Sequence, residues 1–196
     1  FIGLIVAANV FAGATPPAEW NGITVDVASD RPVEISKQLK SEKDGFQCLE
    51  ITLSNAGTET LTIENVEVRI PILAPIADDM EMVYGSSCMG RRPMLRHKVG
   101  DPQKKSESFM YAMVELGEDQ YVFAGSLSWR IFIPVFTLED NVFVIRSDGE
   151  GKQLNPGESI QYEQIVLSHS ANWVELLDTF GEAIAKDPDS FGKHIK

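Results

Sequence analysis

From residue 47 to residue 167 the chain is a series of short apolar runs, each closed by Gly, Pro, Asn or Asp. No helical period interrupts that span. Many strands with frequent turn signals and no interleaved helices can hide their apolar faces only by packing sheet on sheet. The expectation is therefore an all-β fold, an antiparallel β-sandwich.

The strands differ in what they imply. Gln47–Leu53 alternates, which places Leu49, Ile51 and Leu53 on one face. Asn55–Glu59 follows as a turn, with Gly57 able to supply positive φ. In the next run Leu61 and Ile63 point inward, yet Val66, Val68 and Ile70 hold the opposite parity. A one-residue shift flips every later side chain, so the pattern predicts a β-bulge around Glu64-Asn65. Pro71 and Pro75 close that ladder by removing N–H donors. Phe109–Leu116, Tyr121–Leu127, Trp129–Phe136 and Asn141–Ile145 are nearly continuous in apolar character, as expected of strands covered on both faces. Gly149-Glu150-Gly151 reads as a turn rather than a phosphate cradle. Ile160–Leu167 is the last strand, entered through Asn155-Pro156-Gly157.

After residue 170 the period changes. Trp173, Leu176, Leu177, Phe180 and Ile184 fall at helical spacing. Asn172 precedes them with Glu175 three residues on, a capping-box start, and Asp187-Pro188-Asp189 ends the helix. Such a helix is marginal alone and must dock. Trp173, Leu177 and Phe180 are expected to bury against the sandwich, with part of the stripe left for a following domain.

The first residues, Phe1–Val10, form an uncharged apolar run that leads into Ala12-Gly13-Ala14. This reads as the core and cleavage site of a signal peptide, with an edge strand or a buried β-hairpin arm as the alternative. The run is too short to span a membrane. The division expected is a signal-peptide remnant over 1–14, a sandwich over 15–168 and a linker helix over 169–196. Export implies a secreted or periplasmic protein. There Cys48 and Cys88 either pair, stabilising by roughly 3–5 kcal/mol, or remain buried thiols.

Lys and Arg number 17 against 29 Asp and Glu, a net charge of −12. That field repels nucleic-acid phosphates and anionic membranes, so neither is an expected partner. His97, His169 and His194 are widely separated and Cys48 and Cys88 lack C-x-x-C spacing, so no metal is expected. No catalytic motif stands out and no cofactor is implied. The clustered carboxylates Asp78, Asp79 and Glu81 read as a solvated loop.

Positive charge concentrates instead in Tyr84–Lys98, read as a long exposed loop whose Tyr84, Arg91 and Arg92 are candidate ligand residues, the arginines for sugar hydroxyls or for docking on an acidic neighbouring domain. Trp129 is a candidate stacking platform, though its neighbours Ile131 and Phe132 suit a core position equally well.

Taken in order, Tyr111–Gly117, Val122–Leu127, Asp148–Glu158, Tyr162–Leu167 and the Trp173–Leu177 helix resemble the N-terminal super-sandwich of melibiase-type α-galactosidases. The likeness covers residues 105–186. It rests on a strand pair, an L-x-P-G-E turn, a strand carrying Glu and a W-x-x-L-L helix. Where that family carries a Trp-containing loop, this chain has Tyr84–Arg92. The resemblance implies a non-catalytic sandwich packed on a catalytic (β/α)8 barrel of the same polypeptide, a retaining glycosidase whose aspartates lie on that barrel. The chain is thus expected to be a fragment, with oligomerisation open. The other reading is an exported sandwich module that holds oligosaccharide or serves structure, with Trp20, Trp129 and Tyr121 as its available aromatics.

Overall fold

The computed structural model of the chain describes residues 20–41, 46–85, 94–101, 107–117, 120–128 and 131–186. Residues 1–14, Cys88, Arg91, Arg92, Trp129 and the Asp187-Pro188 stop lie outside them. So the signal peptide and the Cys48–Cys88 pairing considered from the sequence fall outside the described residues.

The described strands are β1 (Thr24–Ser29), β2 (Glu34–Ser41), β3 (Gln47–Ser54), β4 (Leu61–Pro71), β5 (Glu81–Gly85) and β6 (Met94–Lys98). They continue as β7 (Tyr111–Glu115), β8 (Tyr121–Ser126), β9 (Val135–Glu139), β10 (Val142–Leu154), β11 (Ser159–Gln161) and β12 (Ile165–Ser170). One helix, α1 (Trp173–Lys186), closes the described chain. A four-stranded sheet runs β1-β4-β10-β9; an eight-stranded sheet runs β11-β3-β12-β8-β7-β5-β6, with β2 on the far side of β3. All pairings are antiparallel. Between the sheets lies the main core, which includes Leu49, Ile51, Leu53, Val68, Phe136, Phe143 and Tyr162. The expected antiparallel sandwich with one C-terminal helix is what forms.

The parity switch in β4 resolves as expected. Leu61, Ile63, Val66, Val68 and Ile70 are all buried, while Glu64 and Asn65 are exposed between them. Asn65 pairs with Ala28 on one side and Asp148 on the other, whereas Ile63 pairs with Ser29 and Lys152. Glu64 is thus the extra residue. Its counterpart on β10 corrects the sequence reading: Gly149-Glu150-Gly151 is not a turn between strands but a bulge inside a strand of 13 residues. Glu150 and Gly151 take positive φ of 48° and 71° to make it. A Cβ on Gly149 would stand 2.4 Å from the Ile63 carbonyl oxygen, so only glycine lets the two backbones meet there.

Three further expectations change. Tyr84–Lys98 is not one long loop, because Glu81–Gly85 and Met94–Lys98 pair as a hairpin, Glu81 opposite Lys98 and Gly85 opposite Met94. Buried Met82 and Val83 give β5 its anchoring, and Arg96 lies outward on an ion pair with Glu81. Ile160–Leu167 divides into β11 and β12 around Tyr162–Gln164. The run Trp129–Phe136 does not form one strand; only Val135 onward joins the ladder. Strands β1 and β2 precede the first alternation visible in the sequence.

Strands β7 and β8 are buried on both faces, as their composition requires. Their second face is covered by α1, under which Phe46, Tyr111, Phe123, Leu176 and Phe180 form a separate core. Leu176 and Phe180 are the buried helix residues, while Trp173 and Leu177 pack on the same core half-buried, so part of the apolar stripe stays uncovered among the described residues. Asn172 Oδ1 accepts N–H bonds from Val174 at 3.1 Å and Glu175 at 3.3 Å. The Asn172 N–H goes to Ser170 Oγ at 3.1 Å rather than to Glu175, so Ser170 completes the cap.

Candidate functional site

The most concentrated polar chemistry in the interior is one carboxylate. Glu163 sits in the break between β11 and β12 and is fully buried. The break itself is a register device. Tyr162 N–H still donates to Ile51 O at 2.8 Å, after which the strand re-forms against Leu49 at Ile165.

The Glu163 side chain reaches across to residues 128–132. One oxygen accepts the N–H of Ile131 at 2.7 Å and of Phe132 at 3.1 Å; the other takes the Ser128 hydroxyl. Ser126 Oγ donates in turn to Ser128 O at 2.9 Å. This explains why 131–134 is not strand: two of its N–H groups belong to a carboxylate, and Pro134 has none. Phe132 packs inward on Tyr162 with ring centroids 5.2 Å apart, and Ile131 and Ile133 are left exposed. Beside it, Tyr162 and Ser147 share a 2.5 Å hydrogen bond that ties the two sheets together. Burial raises the tyrosine pKa, against the opposing pull of that bond. Chemically the arrangement fixes a loop. Both carboxylate oxygens are held by backbone or hydroxyl donors.

Of the candidate ligand residues, Tyr84 is placed on β5, its backbone opposite Leu95 and Ala112. Arg91, Arg92 and Trp129 fall outside the described residues, but Ser128 and Ile131 on either side of 129–130 are both held by Glu163. Glu163 escaped the sequence reading as a functional group. Its signal was a carboxylate between Tyr162 and an apolar run, where solvated glutamates are rare. Trp20 and Tyr121 are buried, so neither offers an exposed stacking face.

Elsewhere polar groups are similarly committed. A surface cleft is lined by Arg31, Glu34, Asn55 and Glu59. Arg31 is ion-paired to Glu59, and Asn55 bonds Glu59 O, Leu154 O and Gly57 N–H. On the outer face of the small sheet, Arg146 forks onto Glu139 at 2.6 and 3.0 Å and reaches Glu67 at 2.8 Å, with Arg69 on Glu67 at 2.7 Å. Among the described residues, no group of three or more His, Cys, Asp or Glu is placed to hold a metal. No described helix is long and apolar enough to cross a membrane.

No protein-family model and no curated protein matches the sequence. Solved structures do match. A GH36 α-galactosidase AgaA variant from Geobacillus stearothermophilus, in complex with stachyose, aligns at TM-score 0.54 and 14% identity over 77% of this chain. AgaB, a GH36 α-galactosidase from the same organism, aligns at TM-score 0.51 and 14% identity over 71% of it. This chain has the fold of a GH36 α-galactosidase domain. It spans only 24% of the AgaA chain and 22% of the AgaB chain.

The motifs that carried the sequence resemblance have structural roles in this sandwich. In the Leu154–Glu158 turn Gly157 has φ 75°, and Glu158 Oε2 accepts the Asn155 N–H at 2.9 Å. Asn55 clamps the turn from the neighbouring loop through its backbone, at 2.9 Å to Glu158 O and 2.8 Å from Gly157 N. Gly125, in the Val122–Leu127 run, lies against the Phe180 ring of α1 with no room for a Cβ.

Proposed function

We propose that this chain is the non-catalytic N-terminal sandwich of an exported glycoside hydrolase of α-galactosidase type. It packs on a catalytic barrel carried by the same polypeptide and shapes the rim of that barrel's active site. The observation that carries this reading is the fold match to one part of a much longer α-galactosidase chain. The geometry of the interior supports it. Two-carboxylate glycoside hydrolysis needs a pair of accessible carboxyls roughly 5–10 Å apart across a bound sugar, whereas Glu163 is spent on holding residues 128–132.

The ligand on this reading is a neutral oligosaccharide of the kind the AgaA complex contains. Tyr84, Arg91, Arg92 and Trp129 are the side chains assigned to it. Export follows from the apolar run before Thr15, and N-terminal mass analysis of the expressed protein should locate the mature end there. A stand-alone glycan-binding module would need exposed rings; with Trp20 and Tyr121 buried, only Trp129 of the three candidates remains.

Two measurements test the proposal. The coding sequence downstream should continue in frame into a (β/α)8 barrel with aspartates at strand ends. The purified chain should not turn over aryl α-galactosides; turnover abolished by a single Asp or Glu substitution would overthrow the non-catalytic role.

A further inference from the structure

We propose that Ile131 and Ile133, held outward by Glu163, form a preformed apolar docking surface for the domain that follows α1 in the same polypeptide. This rests on the reading that the polypeptide continues into a further domain, but not on that domain being a glycosidase barrel.

After Ser126 the chain leaves the large sheet at the end of β8 and joins the small sheet as β9 at Val135. The segment between them crosses one end of the sandwich. Phe132 enters the main core there and is fully buried, whereas Ile131 and Ile133 are 36% and 45% exposed. A single exposed isoleucine is ordinary. This pair differs because its backbone is fixed from inside. Glu163 accepts the N–H of Ile131 at 2.7 Å and of Phe132 at 3.1 Å. A buried carboxylate is tolerated only with its oxygens hydrogen-bonded, so Glu163 and this backbone shape require each other. With Phe132 committed to the core, the two isoleucines stay turned out. A surface ordered before its partner arrives loses less entropy on docking.

The direction of α1 names the occupant. Its first residue, Trp173, lines a small cavity with Val83, Arg96 and Tyr121. About two turns on, Phe180 lies against Gly125 and Tyr111. Tyr121 opens β8 and Gly125 stands next to its last residue. So α1 runs in the same direction as β8, toward the end where Ile131 and Ile133 sit. From Phe180 to Lys186 the helix advances about 9 Å more. Ser126 lies only about 3 Å beyond Gly125. The helix thus reaches past the end of β8, and its continuation is delivered beside the two isoleucines. Tethering there gives that continuation a far higher local concentration than any free partner.

Leu73 supplies the internal comparison. It is 49% exposed but follows Pro71, which pairs with Val142 at the opposite end of the small sheet from Val135.

The test compares the 196-residue chain with the longer polypeptide read in frame from its coding sequence. Ile133→Cys is treated with a maleimide in each, and the labelled site is read by peptide mass. Labelling at position 133 should be about tenfold slower in the longer polypeptide, since the rate follows the fraction of time the site is open. Leu73→Cys should label equally in both. Changing Ile131 and Ile133 together to Asp should leave the urea midpoint of the 196-residue chain unchanged, because both side chains already meet water. In the longer polypeptide the same pair should speed proteolysis just after α1 about tenfold. Equal labelling of position 133 in both proteins, or protection of position 73 in its place, would overturn the proposal. A barrel downstream with position 133 unprotected overturns this inference alone. A different domain downstream with position 133 protected overturns the glycosidase reading alone. A stop codon directly after Lys196 overturns both.

Discussion

The ring of Phe180 lies over Gly125: a Cβ placed on that glycine would stand 2.8 Å from Phe180 Cε2 and 2.8 Å from the Phe123 ring. The helix and the sheet therefore touch through a missing side chain. Phe180 sits 5.0 Å from Phe123, 5.8 Å from Tyr111 and 6.5 Å from Phe46, centroid to centroid, so neither ring can swing aside freely. Gly125→Ala should lift α1 and cost about 1–3 kcal/mol in urea unfolding. Shortening the ring with Phe180→Leu in that background should recover part of the loss. Additive losses would show that the contact is not shared.

Along α1 the cost of truncation should follow burial. Phe180 is 3% exposed and Leu177 is half-buried. Phe180→Ala should cost about 3–5 kcal/mol and Leu177→Ala only about 1 kcal/mol. Equal values would mean that the helix turns a different face to the sheet.

Removing the Glu163 carboxylate strands the buried N–H of Phe132 and the buried Ser128 hydroxyl, and takes the acceptor from the part-buried N–H of Ile131. Glu163→Ala should destabilise by about 2–4 kcal/mol. Glu163→Gln, which keeps an acceptor oxygen, should cost less. Limited proteolysis gives a local reading: the alanine variant should be cut first within 128–134, and the parent should not.

The outer face of the small sheet sets an acid response. The bond from Arg69 chiefly holds Glu67 below the ordinary glutamate value of 4.5, and the bond from Arg146 chiefly does so for Glu139. A carboxyl lowered by folding adds stability at all pH above its unfolded value. That stability is lost as pH falls through the folded value. Unfolding free energy should thus decline below about pH 4.5, and Arg146→Met should flatten that decline. Both groups are partly exposed, so salt should weaken the effect. An unchanged acid limb in the variant would count against the network.

Much of this architecture was legible in the residues themselves. The period-2 alternation of Leu49, Ile51 and Leu53, the parity switch after Ile63 and the 3.6 period from Trp173 are local facts. Each has one inexpensive solution: strand, bulge, helix. Asn172 as a cap belongs with them, since the bonds it makes lie within three residues. What the residues could not decide were matters of partnership across the chain. Whether Gly149-Glu150-Gly151 ends a strand or bulges within one depends on Ile63, more than eighty positions away, continuing to pair beyond it. Whether 131–134 joins a ladder depends on Glu163 taking its N–H groups. Which residues of α1 are buried depends on a hollow at Gly125. Periodicity states which face is apolar; only the folded sheets determine what that face meets, because the competing partners are equal in sequence and differ only in distance.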